Sequence, residues 1–424
     1  MRPLAARTGA PALATAQATS SKPPAPYGAL PSERQLQWHE MEVYAFLHFT
    51  TTTFTDKEWG YGDEDPNIFN PAAFDADAIV RALKDGGMRG VILTCKHHDG
   101  FCLWPTKTTE HSVRKSSWRG GKGDVVKEVS DAARRHGLKF GVYLSPWDRN
   151  HPLYGRREYI GIYRDQLREL LTGYGPIFEV WHDGANGGDG YYGGAREMRR
   201  IDRGTYYDWP KTWELTRSLQ PGAVIFSDVG PDVRWVGNEK GFANETCWAT
   251  YEPKGEDGGP AAPGTSRTSE GMTGHRNAAR WLPAECDVSI RPGWFWHAKE
   301  NSRVKTPAQL FDLYCKSVGR GASFLLNVPP DRRGLLDEPD VASLRGFGEL
   351  LRSAFKTNLA ANAKATASNS RAGFPVRNVL DGDRYSCWAA EDGATTPEAV
   401  VELPRPTTFN LVRLREDIRL GQRV

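Results

Sequence analysis

The chain has 424 residues, and its 55 Lys and Arg against 52 Asp and Glu leave a formal charge of +3. That balance supplies no basic field for nucleic acid and no acidic tail. A mean hydropathy of −0.57, with no long apolar run, excludes a membrane-spanning helix. The 44 Gly and 28 Pro indicate many loops, and the 14 Trp stand out because a Trp usually keeps a polar or ligand-facing edge.

Residues 1–30 hold nine Ala and five Pro, and no acidic residue precedes Glu33. Arg2 and Arg7 followed by Ala16-Gln17-Ala18 resemble a signal peptide with its cleavage site, although Arg7, Gly9 and Pro11 interrupt the apolar stretch. Residues 1–36 therefore read either as a leader for export to the periplasm or beyond, or as a disordered tail on a cytoplasmic protein.

From Trp38 onward, short apolar runs alternate with helical stretches. Strands are expected at 43–49, 90–94, 139–144, 177–181, 223–226 and 323–328, and helices at 75–85, 124–136, 159–174 and 213–219. Such alternation means parallel βα units, either a doubly wound sheet or a barrel. No G-x-G-x-x-G follows the first strand, so a dinucleotide site has no support. Polar residues instead fall at or just past the strand ends: His48, Lys96-His97-His98-Asp99, Tyr143, His182-Asp183 and Asn327. In a barrel those ends meet on one face, so the expected fold is a TIM-like (β/α)8 barrel over residues 37–357. Residues 358–424 turn to small and polar residues with two period-two runs, VVEL and FNLVRL, and a turn at Leu380-Asp381-Gly382. This is expected to be a partial β-sandwich, shorter than a complete one.

Several clusters could carry chemistry. Asp183 follows a buried strand and precedes Gly184, which places a carboxylate at the barrel mouth or, in the plainer alternative, in an Asx-turn. Trp181 beside it suits the apolar face of a sugar ring. His97 and His98 read as hydrogen-bonding groups for hydroxyls or as a satisfied structural pair. No H-E-x-x-H or H-x-x-E-H spacing supports a metal, and no other cofactor is implied. Glu58-Trp59 after the first strand pairs a carboxylate with an indole, and Trp235 precedes Glu239 in the same manner. Glu245 competes with Glu239 for one role. Arg291 and Trp294 lie in an aromatic-rich segment that is either a binding wall or a packed corner. The six cysteines form no CxxC pair, and no G-x-S-x-G elbow occurs. Two carboxylates among Trp, Tyr and His at a barrel mouth fit glycoside hydrolysis.

The segments FLHFTTTTF (46–54), EWGYG (58–62), KHHDGFCLWPTK (96–107), GLKFGVYLSPWD (137–148), YGPIFEVWHDGANG (174–187) and RWVGNEKGF (234–242) together resemble the family 29 glycoside hydrolases, the retaining α-L-fucosidases. The resemblance covers roughly residues 38–355. It implies Asp183 as nucleophile and fucose contacts at His48, Glu58, Trp59, His97, His98, Tyr143 and Trp181. Its G-N-E form is similar to the subgroup preferring α-1,3/1,4-linked fucose and points to Glu239 as acid/base, with Glu245 as fallback. Arg291 and Trp294 carry over from the S-I-R-P-x-W segment as further binding residues. The substrate implied is a fucosylated oligosaccharide or glycoprotein glycan, cleaved by double displacement. Residues 358–424 are similar to the opening strands of a discoidin-like β-sandwich, which is expected to continue past Val424. Two alternatives from other classes stay open: a sugar-binding protein on a degenerate barrel, and a metal-dependent barrel hydrolase using His48, His97 and His98.

Overall fold

The computed structural model describes residues 22–184 and 187–424. The signal-like part of the leader, residues 1–21, lies outside the described residues. Eight strands close into a parallel barrel in chain order: β1 (Val43–Leu47), β2 (Gly90–Lys96), β3 (Lys139–Leu144), β4 (Glu179–Trp181), β5 (Val224–Ser227), β6 (Val233–Trp235), β7 (Ala284–Ser289) and β8 (Ser323–Asn327), with β8 pairing back onto β1. The fold is thus the TIM-like barrel that the strand–helix alternation implies.

Besides a single turn at Thr52–Thr55, the α-helices of the described residues are α1 (Glu33–His39), α2 (Ala76–Asp85), α3 (Val125–His136), α4 (Tyr159–Gly173), α5 (Trp209–Leu219), α6 (Pro307–Ser317) and α7 (Glu338–Phe355). Their ends follow local chemistry. Asp75 caps α2 by accepting from the Ala78 amide at 2.9 Å, and Asp124 caps α3 by accepting from Lys127 at 2.8 Å. Gly137 ends α3 in the left-handed conformation. Helix α1 falls partly inside the stretch read as leader, and its Trp38 is buried among barrel-interior residues including Tyr44, Phe46 and Val224.

Two barrel strands have no counterpart among the expected elements. β6 is three residues long and joins β5 through the short turn at 228–232, without a helix. β7 reads Ala-Glu-Cys-Asp-Val-Ser, all buried, so its alternation places carboxylates on one face. Buried acids are rare unless paired, which is why the run looks like a loop. Between β6 and β7 the chain makes a long excursion with only one short 3-10 turn.

The chain divides into two compact units: Tyr27–Thr357 with Gly421–Val424, and Asn358–Leu420 with the described residues before Tyr27. The second unit holds one antiparallel pair, Lys364–Ala367 with Ala399–Glu402. The turn at 380–382 is present, with Gly382 at φ 77°. The FNLVRL run, however, is not a strand.

Candidate active site

Strand parity places the central carboxylate. Glu179 and Trp181 on β4 point into the barrel, and two residues on Asp183 keeps that direction at the mouth. His182, of opposite parity, is buried against α4, where its Nδ1 meets the Tyr163 hydroxyl at 2.8 Å. Burial pushes its pKa down to about 3. Asp183 Oδ2 accepts from the Tyr143 hydroxyl at 2.7 Å, and His98 Nε2 stands 3.6 Å from the same oxygen. The Asp183 side chain keeps 25% of its surface open, so the carboxylate is held yet reachable.

The floor beneath it is aromatic. Trp181 stacks on Phe226 with centroids 4.1 Å apart and lies against Tyr143 at 5.3 Å. Its indole Nε1 donates to Glu285 Oε1 at 2.7 Å, inside the barrel.

Adjacent histidines on a strand would diverge, but β2 ends at Lys96, and both His97 and His98 enter the site from the turn that follows. Their ring centroids are 4.1 Å apart, and His97 lies 5.5 Å from His48. All three are buried, and burial lowers all three pKa values, that of His48 to about 4. They are therefore neutral near pH 7, and the network fixes two tautomers. Ser145 spends its proton on the Trp147 carbonyl at 2.7 Å, so its oxygen must accept from His98 Nδ1, also at 2.7 Å. Asn327 Nδ2 donates to Ser289 Oγ and the Trp294 carbonyl, so Asn327 Oδ1 accepts from His48 Nδ1 at 2.9 Å. Both rings thus turn an Nε2 lone pair toward the mouth, suited to a ligand hydroxyl. The donor atoms of His97, His98 and Asp183 also lie within 4.8 Å of one another, close enough to converge on a cation.

The rim joins the remaining candidates. Glu58 Oε2 accepts the Trp294 backbone N–H at 2.8 Å, and Glu58 Oε1 is 2.6 Å from His297 Nε2. A side chain on Gly293 would come within 2.2 Å of Glu58 Oε1, so only glycine lets this carboxylate in. His297 bridges onward to Asp56 at 2.7 Å; burial works against its protonation, but the bonds to Asp56 and Glu58 raise its pKa overall. Trp59 is 53% exposed and packs edge-on against His98 and Trp147. Trp294 lies 5.0 Å from the His48 ring and donates its Nε1 to Glu239 Oε2 at 3.1 Å. Glu239 is therefore tied to the mouth. Glu245 is exposed and makes none of these contacts, its neighbour Asn244 being stitched to Met272 and Thr273 instead.

Arg291 requires a correction. Rather than reaching a ligand, it is 1% exposed and its guanidinium is spent on Asp340 at 2.9 Å, Asn301 at 2.8 Å, the His297 carbonyl at 3.2 Å and Asp337 at 3.4 Å. It pins the segment that carries Trp294. Conversely, Asp287 and His297 are not among the residues the sequence singles out. Asp287 Oδ1 accepts from Trp235 Nε1 at 2.7 Å, and burial, then the charge of Glu239, pushes its pKa well up. The alternation of acids in β7 is the available signal for Asp287; nothing local marks His297.

Comparison with known proteins adds to this geometry. The family model described as Alpha-L-fucosidase matches residues 26–354. Alpha-L-fucosidase 1 of Arabidopsis thaliana is 46% identical over 407 residues, 95% of this chain and 76% of its own length. A glycoside hydrolase 29 family member from an unknown rumen bacterium superposes with TM-score 0.77 at 49% identity, over 80% of this chain and 60% of that one. A Ruminococcus gnavus GH29 fucosidase solved in complex with fucose gives TM-score 0.83 at 32% identity, covering 96% of this chain and 85% of that one.

Proposed function

The chain belongs to the α-L-fucosidase family of glycoside hydrolases, and from that premise we propose that it is a retaining exo-α-L-fucosidase for α-1,3/1,4-linked L-fucose on branched glycans. The observation that carries this reading is Asp183, partly open at the mouth, oriented by the Tyr143 hydroxyl above the Trp181 floor.

In this reading Asp183 attacks the anomeric carbon and displaces the aglycone oxygen, forming a fucosyl ester. Glu239 donates the proton that oxygen needs, then takes one from the water that cleaves the ester. Tyr143 holds the attacking carboxylate in line. The open Nε2 atoms of His48 and His98 accept from sugar hydroxyls, with His97 between them, and Trp181 packs on the apolar face of the ring. Glu58, Trp59 and Trp294 form the rim. The G-N-E sequence ending at Glu239, together with its tie to Trp294, supports the α-1,3/1,4 preference. We also read residues 358–424 as the opening of a discoidin-like β-sandwich, on the strength of the antiparallel pair described above.

The test is turnover of an aryl α-L-fucoside and a Lewis-type oligosaccharide by the native chain and by Asp183→Ala, with the anomer of the first-formed product followed by NMR. Release of α-L-fucose by the native chain, and at least about a thousandfold loss in the folded variant, are expected. Release of the β-anomer would refute retention, and an active Asp183→Ala would refute the nucleophile.

A further inference from the structure

The excursion from β6 to β7 carries Glu239 near its start and then folds on itself. Isolated bridges pair Lys254 with Pro260 and Gly255 with Ser266. Its tip is a tight turn, Ala262-Pro263-Gly264-Thr265, closed by the Thr265 N–H on the Ala262 carbonyl at 2.9 Å. Pro263 presets the first central position, and Gly264, at φ 83°, takes the left-handed second one. Thr265 Oγ1 also donates to the Ala262 carbonyl at 2.8 Å.

One side chain holds that tip. Asp228, directly after β5, accepts from the Gly264 amide at 2.8 Å through Oδ1, and from Ser266 Oγ at 2.7 Å and the Ser266 amide at 3.2 Å through Oδ2. Burial raises its pKa, while the bonds from Ser266 and Gly264 pull it back. Arg203, on the chain between β4 and α5, reaches the Gly264 carbonyl at 3.3 Å. The tip lies at the candidate site itself: a Cβ built on Gly184, the residue after Asp183, would meet Gly264 Cα at 3.7 Å.

We propose that Asp228 is a positioning residue that latches the 262–266 turn as a wall of the leaving-group subsite, where it selects fucosides whose aglycone is a branched oligosaccharide. The inference rests on the fucosidase reading. The acid must stand beside the departing oxygen, so the excursion that bears Glu239 lies on the aglycone side, and the same excursion returns to Gly184. Beside the turn, the Arg203 guanidinium is the group an aglycone hydroxyl would meet. In this arrangement the contacts that matter are those to the distal aglycone sugars, which a small aryl group lacks.

The test compares native enzyme, Asp228→Ala and Ser266→Ala on an aryl α-L-fucoside and a Lewis-type trisaccharide. Losing the carboxylate leaves two amides and a hydroxyl without an acceptor, so Asp228→Ala should raise KM for the trisaccharide by about tenfold or more. Its kcat/KM on the aryl fucoside should change by less than about threefold. Ser266→Ala, which removes one of the three bonds, should fall between native and Asp228→Ala on the trisaccharide, and it decides the matter if Asp228→Ala does not fold. Equal losses on both substrates, or no change on the trisaccharide, overturn the proposal. A native chain that hydrolyses no fucoside refutes the fucosidase reading, and the proposal with it, before any variant is compared.

Discussion

Glu179 offers the sharpest quantitative test of the barrel interior. Its carboxyl is fully buried, accepts from Trp38 Nε1 at 3.1 Å and feels the charge of Glu285, which takes the Trp181 indole N–H and the Tyr44 hydroxyl. Burial first, and then the charge of Glu285, pushes Glu179 well above its ordinary 4.5. In the unfolded chain it ionises near that value, so above it folding must take up a proton. A raised carboxyl contributes its full stability below the unfolded pKa and loses it as pH climbs toward the folded one. The loss is at most about 1.4 kcal/mol per pH unit between those two values. Glu179→Gln keeps the shape, donates to Glu285 through its amide and accepts from Trp38, but carries no titrating proton. The stability of Glu179→Gln relative to native should therefore grow as pH rises above about 4.5, by at most about 1.4 kcal/mol per unit, read from urea unfolding between roughly pH 5 and 8. Parallel stability curves for the two proteins across that range would refute a proton held on Glu179 in the folded barrel.

Three further outcomes follow from the site. Tyr143→Phe removes the 2.7 Å bond to Asp183, a charge-assisted contact of about 1.5–3 kcal/mol, so kcat/KM on an aryl fucoside should fall by about 10–100-fold, and a native value would mean Tyr143 does not orient Asp183. Glu239→Gln should cost about a hundredfold or more on substrates with poor leaving groups and far less on activated ones, whereas Glu245→Gln should stay near native; the reverse ranking transfers the acid/base role to Glu245. Prolonged chelation should leave turnover unchanged, and a loss restored by a divalent cation would instead assign His97, His98 and Asp183 to a metal.

What could be read in the sequence tracks how local each determinant is. Helices α2 and α3 announce themselves through Asp75, Asp124 and Gly137, which act within a turn of where they stand. Asp183, His48, His97 and Tyr143 were legible because strand ends in a barrel converge on one face, whatever their partners. β7 was not, because Glu285 and Asp287 look like loop residues until their partners are known. Those partners are Tyr44, 241 residues away, Trp181, 104 away, and Trp235, 52 away. Arg291 fails in the opposite sense: an arginine among aromatics looks like a ligand contact, and only the folded chain reveals Asp340 as the group it neutralises. Trp38 is likewise packed inside the barrel through a distant partner, Glu179, 141 residues away.

These distant pairings also connect the barrel interior to the chemistry at its mouth. Glu179, Trp181 and Asp183 share one strand parity, so they form a column along the barrel axis. Glu285 sets the Trp181 indole through the 2.7 Å bond, Trp181 stacks on Tyr143, and Tyr143 donates to Asp183. The orientation of the candidate nucleophile is thereby fixed from below by packed, desolvated contacts rather than by the rim, whose Glu58–His297–Asp56 clamp is half-exposed. A barrel interior is close-packed, so a shift of Trp181 is passed to the groups packed on it, Tyr143 among them. Glu285, which the sequence hid, thus helps hold in place the carboxylate that it revealed.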